Sequence, residues 1–122
     1  MAFVGAECLK VAQFLGGQTN STYTLESGQR AVISRAYFAA YGHAFHHEVE
    51  SRRYNAYNNG RDHSGLRVHF AKVRKEQKIA SELADLGFLR KQCDYDKNFV
   101  GILSQSAKDA LNKAKYVVEY LI

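Results

Sequence analysis

The stretch from Glu26 to Arg53, ESGQRAVISRAYFAAYGHAFHHEVESRR, constrains the fold more than any other part of the chain. Its Ala, Val, Ile, Phe and Tyr residues recur at spacings of three and four. It contains neither Pro nor an interior β-rich run, so it reads as one helix of about seven turns. Apolar residues lie on more than one side of that helix. A helix of this kind has to be covered by neighbours on several faces, which predicts an all-α bundle built around it. The same stretch carries Arg35, then His43, His46 and His47, then a basic end. Candidate chemistry therefore starts here.

The flanking segments supply the neighbours. MAFVGAECLKVAQFLGG reads as a short first helix stopped by Gly16 and Gly17. The polar run that follows is a loop, with Thr24 or Ser27 placed to cap the central helix. After Arg53 comes a connector, Tyr54 to Gly65, with an Asn58-Asn59-Gly60 turn signal. A third helix fits GLRVHFAKVRKE. A fourth runs from about Glu76 to Asp96, with Ile79, Leu83, Leu86 and Cys93 on one side; Gly87 weakens it by about 1 kcal/mol relative to Ala. Ser106 and Asp109 resemble a capping box ahead of a last helix whose apolar stripe runs from Ala107 to Leu121. The expected architecture is all-α: an antiparallel bundle of four main helices plus a short N-terminal one, in a single domain over 1–122. The absence of Pro fits helices joined by short loops.

Charge points to the partner. A net charge of +5 over 122 residues favours an anionic ligand, nucleic acid before membrane. No apolar run reaches the roughly 20 residues needed to span a bilayer, and the N-terminus lacks the basic start of a signal peptide. The expectation is a cytoplasmic protein with no membrane partner, two reduced cysteines, Cys8 and Cys93, and no cofactor. His43 and His47 stand at i, i+4, a spacing that can chelate Zn²⁺ with a further ligand such as Glu50, His63 or His69. The HExxH spacing is missing, and surface or dimer-face histidines are the simpler reading, so no metal is expected. Tyr54 and Tyr57, interleaved with Arg52, Arg53 and Arg61, suit base stacking and phosphate binding; the alternative is a solvated loop with its Tyr residues packed on the bundle. Arg67 to Lys78 reads as the wet face of a helix. Arg90 and Asp94 stand at the spacing of a helix-face ion pair, with Tyr95 beside them as core.

Three stretches together resemble the HEPN domain, a small α-helical family linked to nucleotides and RNA cleavage in toxin–antitoxin and defence systems. SRAYFAAYGHAF (Ser34 to Phe45) resembles the family's Ser-Arg-Ala-Tyr-Tyr-Ala-Ala-Phe-His-Ala, HSGLRVHF (His63 to Phe70) its His-x-Gly helix start, and LRKQCDYD (Leu89 to Asp96) its Arg-x-x-Ala-Asp-Tyr. The resemblance implies a homodimer with the motif helices facing each other. It also implies metal-independent attack by an RNA 2′-hydroxyl on the adjacent phosphate, with Arg35 stabilising phosphate charge and a His as acid or base. The position aligned with that His is Gly42, and His43 follows it. An offset of eight turns two side chains about 80° apart on a helix, against about 20° for seven. A bulge at Gly42, or a site shared across the dimer, would restore the pair.

The sequence therefore reads as a HEPN-like dimeric RNA- or nucleotide-binding protein of toxin–antitoxin or defence type, its ribonuclease activity weakened at Gly42. Arg35 and His43 are the catalytic candidates. Arg35, His46, Arg90, Asp94, Tyr54 and Arg61 are the nucleic-acid-binding candidates. The alternative is a non-catalytic helical dimer acting as a binding or scaffold module. The resemblance also implies a cognate antitoxin or nucleotidyltransferase partner. Neutralisation through a tyrosine two places after the motif His is not implied, because that place is Phe45.

Overall fold

The computed structural model describes residues 5–15, 25–99 and 101–122. It contains helices α1 (Gly5–Leu15), α2 (Leu25–Glu50), α3 (Arg61–Ala71), α4 (Gln77–Tyr95) and α5 (Leu103–Tyr120), with a single 3₁₀ turn, Arg74–Glu76, leading into α4. No strand occurs among the described residues. The expected helical bundle is present: the long α2 lies at its centre and packs against α1, α4 and α5, while α3 lies on α4. Among the described residues no helix is long and apolar enough to cross a membrane.

The packing follows from α2's side chains. Val32, Ile33, Ala36, Ala39, Ala40 and Ala44 are fully or almost fully buried and lie on several sides of the helix. Small residues let neighbouring helices approach closely, at axial distances of about 8–10 Å. Into the resulting grooves fit Leu9 and Ala12 of α1, Leu66 and Phe70 of α3, Ile79, Leu83 and Leu86 of α4, and Ala110, Ala114 and Val117 of α5. The tightest approach is between α1 and α2, where Gly5 lies against the His43 side chain and leaves no room for a Cβ.

Polar groups hold the joins. Arg30 of α2 donates to the carbonyls of Cys93 at 3.1 Å and Asp96 at 2.8 Å, satisfying carbonyls that the last turn of α4 leaves without helical partners. Lys113 of α5 reaches Glu82 and Asp85 of α4, both at 3.1 Å. Below the C-terminus of α2, Glu48 is completely buried. Its carboxylate accepts from His47 and His69, each at 2.7 Å, and pairs with Arg53 at 3.4 Å. Arg53 in turn donates to the nearly buried Glu76 at 2.6 Å.

Several boundaries differ from those read in the sequence. α2 ends at Glu50, because the chain reverses through Arg52 in the left-handed region (φ 61°). α3 begins four residues before Gly65, at Arg61, because Asp62 completes the turn that precedes it. α5 begins at Leu103, with Ser106 inside its first turn rather than at a cap. Ser27 likewise lies inside α2. Gly16, Gly17 and Thr24 fall outside the described residues. Tyr95 is exposed rather than core, at the frayed end of α4. Both cysteines are free thiols, and burial pushes Cys93 up to about 11.

Candidate functional site

The site is built on an aromatic stripe of α2. Tyr37, Tyr41 and Phe45 follow one another at i, i+4, i+8, with ring centroids 6.0 and 5.9 Å apart. This is the helical spacing at which side chains meet. His63, in the first turn of α3, lies parallel to the stripe, 4.1 Å from the Tyr41 ring and 5.7 Å from the Tyr37 ring. Its Nδ1 and the Tyr37 hydroxyl share a hydrogen bond. Arg90 of α4 covers the other end, its guanidinium 5.2 Å from the Tyr37 ring and 5.4 Å from the Phe38 ring. This is cation–π range.

Tyr37, His63 and Arg90 open onto a cleft of about 450 Å³ between α3 and α4, whose cationic lining is Arg67, Arg90 and Lys91. Among the described residues no carboxylate lines it; Asp94 touches Arg90 from outside at 3.4 Å. The Arg90 Nε is buried and has no hydrogen-bond partner among the described residues, although buried donors are normally satisfied. Gly87 also lines the cleft. A Cβ there would lie 3.5 Å from Tyr37 and 3.8 Å from Arg67, so the missing side chain keeps the floor open.

The electrostatics follow from burial and from the two arginines. Burial, then Arg90 and Arg67, lower the His63 imidazole from its ordinary value, so it is neutral at pH 7. Burial raises the Tyr37 hydroxyl, with Arg90 and Arg67 opposing it. Burial, and after it the Asp62 charge, pushes Tyr41 up to about 12. The cleft thus presents cationic guanidinium groups beside a neutral imidazole and the neutral phenol of Tyr37. That combination grips an anion and can hydrogen-bond a hydroxyl or a phosphate oxygen.

A second cleft of about 450 Å³ lies on the other flank of α3, lined by Tyr54, Tyr57, Arg53, Arg61, His69 and Lys72 among others. Its shape depends on Asp62, which is buried. The Asp62 carboxylate accepts from the Tyr54 hydroxyl at 2.8 Å and from the backbone N–H groups of Tyr57, Asn58 and Asn59 at 2.9, 2.8 and 3.3 Å. Burial alone would push that carboxyl up, but these bonds outweigh it and hold it below the ordinary 3.8.

The two catalytic candidates have different surroundings. Arg35 is exposed on α2 beside Cys8, Val11 and Phe38, with no hydrogen bond or ion pair to another described residue. His43 is half-buried under Gly5, and its Nε2–H donates to the Leu121 carbonyl. With α2 continuous through Gly42, they stay about 12 Å apart along the axis and about 80° around it. His46 is exposed, edge-on to Phe45. Arg90 and Asp94 form the i, i+4 pair, and Arg90 also enters the first cleft. Tyr54 and Arg61 both line the second cleft. The His43 and His47 rings are 6.4 Å apart, and among the described residues no group of three His, Cys, Asp or Glu is placed to hold a metal.

Tyr37 and Arg67 are not among the site residues the sequence points to, and His63 is there only as a possible zinc ligand and the start of a motif. Arg67 is half-buried and faces the first cleft rather than lying on the wet face with Lys72, Arg74, Lys75 and Lys78. The available signal was the i, i+4 spacing of His63 and Arg67, which puts an imidazole and a guanidinium on one face of α3. No family model, no curated protein and no solved structure matches the chain.

Proposed function

We propose that the protein is a HEPN-like RNA- or nucleotide-binding protein of toxin–antitoxin or defence type, acting as a homodimer, and that it holds phosphate in the cleft between α3 and α4. The observation that carries this reading is a cleft with three cationic side chains and, among the described residues, no carboxylate in its lining. The Arg67 and Arg90 guanidinium groups supply the charge that grips a phosphate. Net charge of +5 supports the same ligand class.

Binding rather than cleavage is the reading favoured here. It is supported by the separate surroundings of Arg35 and His43, since an acid–base group displaced by even 1 Å can lose about a hundredfold in rate. The test is fluorescence polarisation with a labelled single-stranded RNA at two salt concentrations. Arg67→Ala with Arg90→Ala is expected to weaken binding at least tenfold. Lys115→Ala, on an exposed residue of α5 whose nearest acidic neighbour is Glu119 at 4.0 Å, is expected to change little. Equal effects of the two changes would sink the cleft as the binding site. In parallel, incubation of the RNA in EDTA is expected to leave it intact with wild type and with His43→Ala. Cutting by wild type that disappears in His43→Ala would restore Arg35 and His43 as a catalytic pair.

A further inference from the structure

The two clefts are separated by a single low ridge. Ser64 lines both. The second cleft takes Arg61, Ser64, Gly65 and Val68 of α3 with Lys72 at its C-cap, which form one helical stripe, and the first takes His63, Ser64 and Arg67, the stripe beside it. Adjacent stripes on a helix surface are about 10 Å apart along the arc. Ser64 folds its hydroxyl back to donate to the Arg61 carbonyl at 3.3 Å, and it is exposed. Gly65 beside it is covered by the Tyr54 hydroxyl and the Tyr57 ring. Ser64 is therefore the point of α3 at which the two clefts meet.

The second cleft differs from the first in character. Its Arg61 guanidinium lies over the Tyr57 ring, 4.7 Å from the centroid, and Tyr57 is 55% exposed. A planar aromatic and a planar cation at the surface form a stacking platform for a base, and Lys72 adds a charge for the adjoining phosphate. The acidic groups nearby are already committed. Asp62 is saturated by the Tyr54 hydroxyl and three backbone N–H groups, and Glu48 by His47, His69 and Arg53. Neither carboxylate lines the cleft.

We infer that the second cleft is a separate base-stacking and phosphate subsite, and that one single-stranded RNA crosses α3 at Ser64 to occupy both clefts. The ligand class is then an oligonucleotide rather than a mononucleotide. This rests on the phosphate-binding reading of the first cleft and extends it.

The experiment compares uridine monophosphate with a uridine hexamer by isothermal titration or polarisation, each over a range of salt. The hexamer is expected to bind at least tenfold tighter, because stacking and a second phosphate contact add to the first. Its slope of log affinity against log salt is expected to be at least twice that of the monophosphate, at about −0.7 per phosphate engaged. Arg61→Ala with Lys72→Ala, both at exposed positions, is expected to bring the hexamer down to monophosphate affinity while leaving the monophosphate unchanged. Tyr57→Ala is expected to lower hexamer affinity by about tenfold with no change in salt slope. Equal affinity and slope for the two ligands, or a hexamer untouched by the Arg61 and Lys72 changes, overturns the second subsite while leaving the first cleft standing. Loss of both ligands only on changing Arg67 and Arg90 likewise overturns the second subsite. Binding of neither ligand by wild type overturns the phosphate-binding reading itself and the inference with it.

Discussion

Asp62 shows how one side chain can shape a surface it does not join. It is buried, yet it remains a carboxylate because four donors converge on it. Three of them are consecutive backbone N–H groups of the Tyr57-Asn58-Asn59 turn, where Asn58 sits in the left-handed region at φ 60° that Asn tolerates better than most residues. Asp62→Asn would turn an amide N–H toward those donors. Hydrogen bonds to a charged group are worth about 1.5–3 kcal/mol, so the variant is expected to be about 2–3 kcal/mol less stable at pH 7. Because the folded carboxyl titrates below the ordinary 3.8, its stabilisation is present above that pH and is lost as pH falls through the lower folded value. Denaturant melts should therefore show the gap between wild type and Asp62→Asn shrinking below about pH 4. A gap of the same size at pH 3 and pH 7 would show that the charge contributes nothing.

At the scale of elements, α4 depends on the shape of its neighbours. Arg30 closes its C-terminal carbonyls from α2. Gly87 sits in its middle, where Gly costs about 1 kcal/mol against Ala. The structure gives no steric reason for that cost, since an added Cβ would make ordinary contact at 3.5 Å with Tyr37. Gly87→Ala is expected to raise stability by about 0.5–1 kcal/mol. It is also expected to weaken phosphate binding, because the methyl intrudes on the floor of the first cleft. A thermal melt and a binding isotherm on the same sample check both. A less stable variant would mean that α4 cannot carry the methyl without moving, and unchanged affinity would place the ligand away from this floor.

For the whole molecule, the four aromatic residues of the α2 motif, Tyr37, Phe38, Tyr41 and Phe45, are largely used within one chain. Tyr37 is buried and Tyr41 and Phe45 are half-buried, covered in part by His63 and Tyr54, and of the four only Phe38 is exposed. Among the exposed apolar side chains, three lie together on α1 and α2: Val11 is 49% exposed, Phe14 67% and Phe38 46%. Between Val11 and Phe38 lies a shallow cavity of about 230 Å³ that also touches Cys8 and Arg35. The proposed homodimer is expected to use this surface. Sedimentation at micromolar concentration should give a dimer mass for wild type and a monomer mass for Val11→Asp with Phe38→Asp, since a charge buried at an interface without a partner is costly. A monomeric wild type, or a dimer indifferent to both changes, would count against it.

Periodicity and composition determined the all-helical class, the central place of α2 and the approximate extent of α4 and α5. Repeating apolar positions at three and four force burial on those faces whatever the partner is. The basic character and the likeness of three short motifs to one family were equally open to reading in the sequence. Tertiary structure alone decided which polar residues meet. Tyr37, His63 and Arg90 come from three helices and share no sequence window. Glu48 and Glu76 are carboxylates whose burial no local pattern announces, because His69 and Arg53 reach them from other segments; the donors to Asp62, by contrast, come from the turn just before it. Arg35 and His43 share one helix, so their angular separation was calculable in advance. Their surroundings were not, because what a side chain touches depends on the helices packed over it. Helix spacing reports which face a residue occupies; the chemistry of a face is set by what the fold places opposite it.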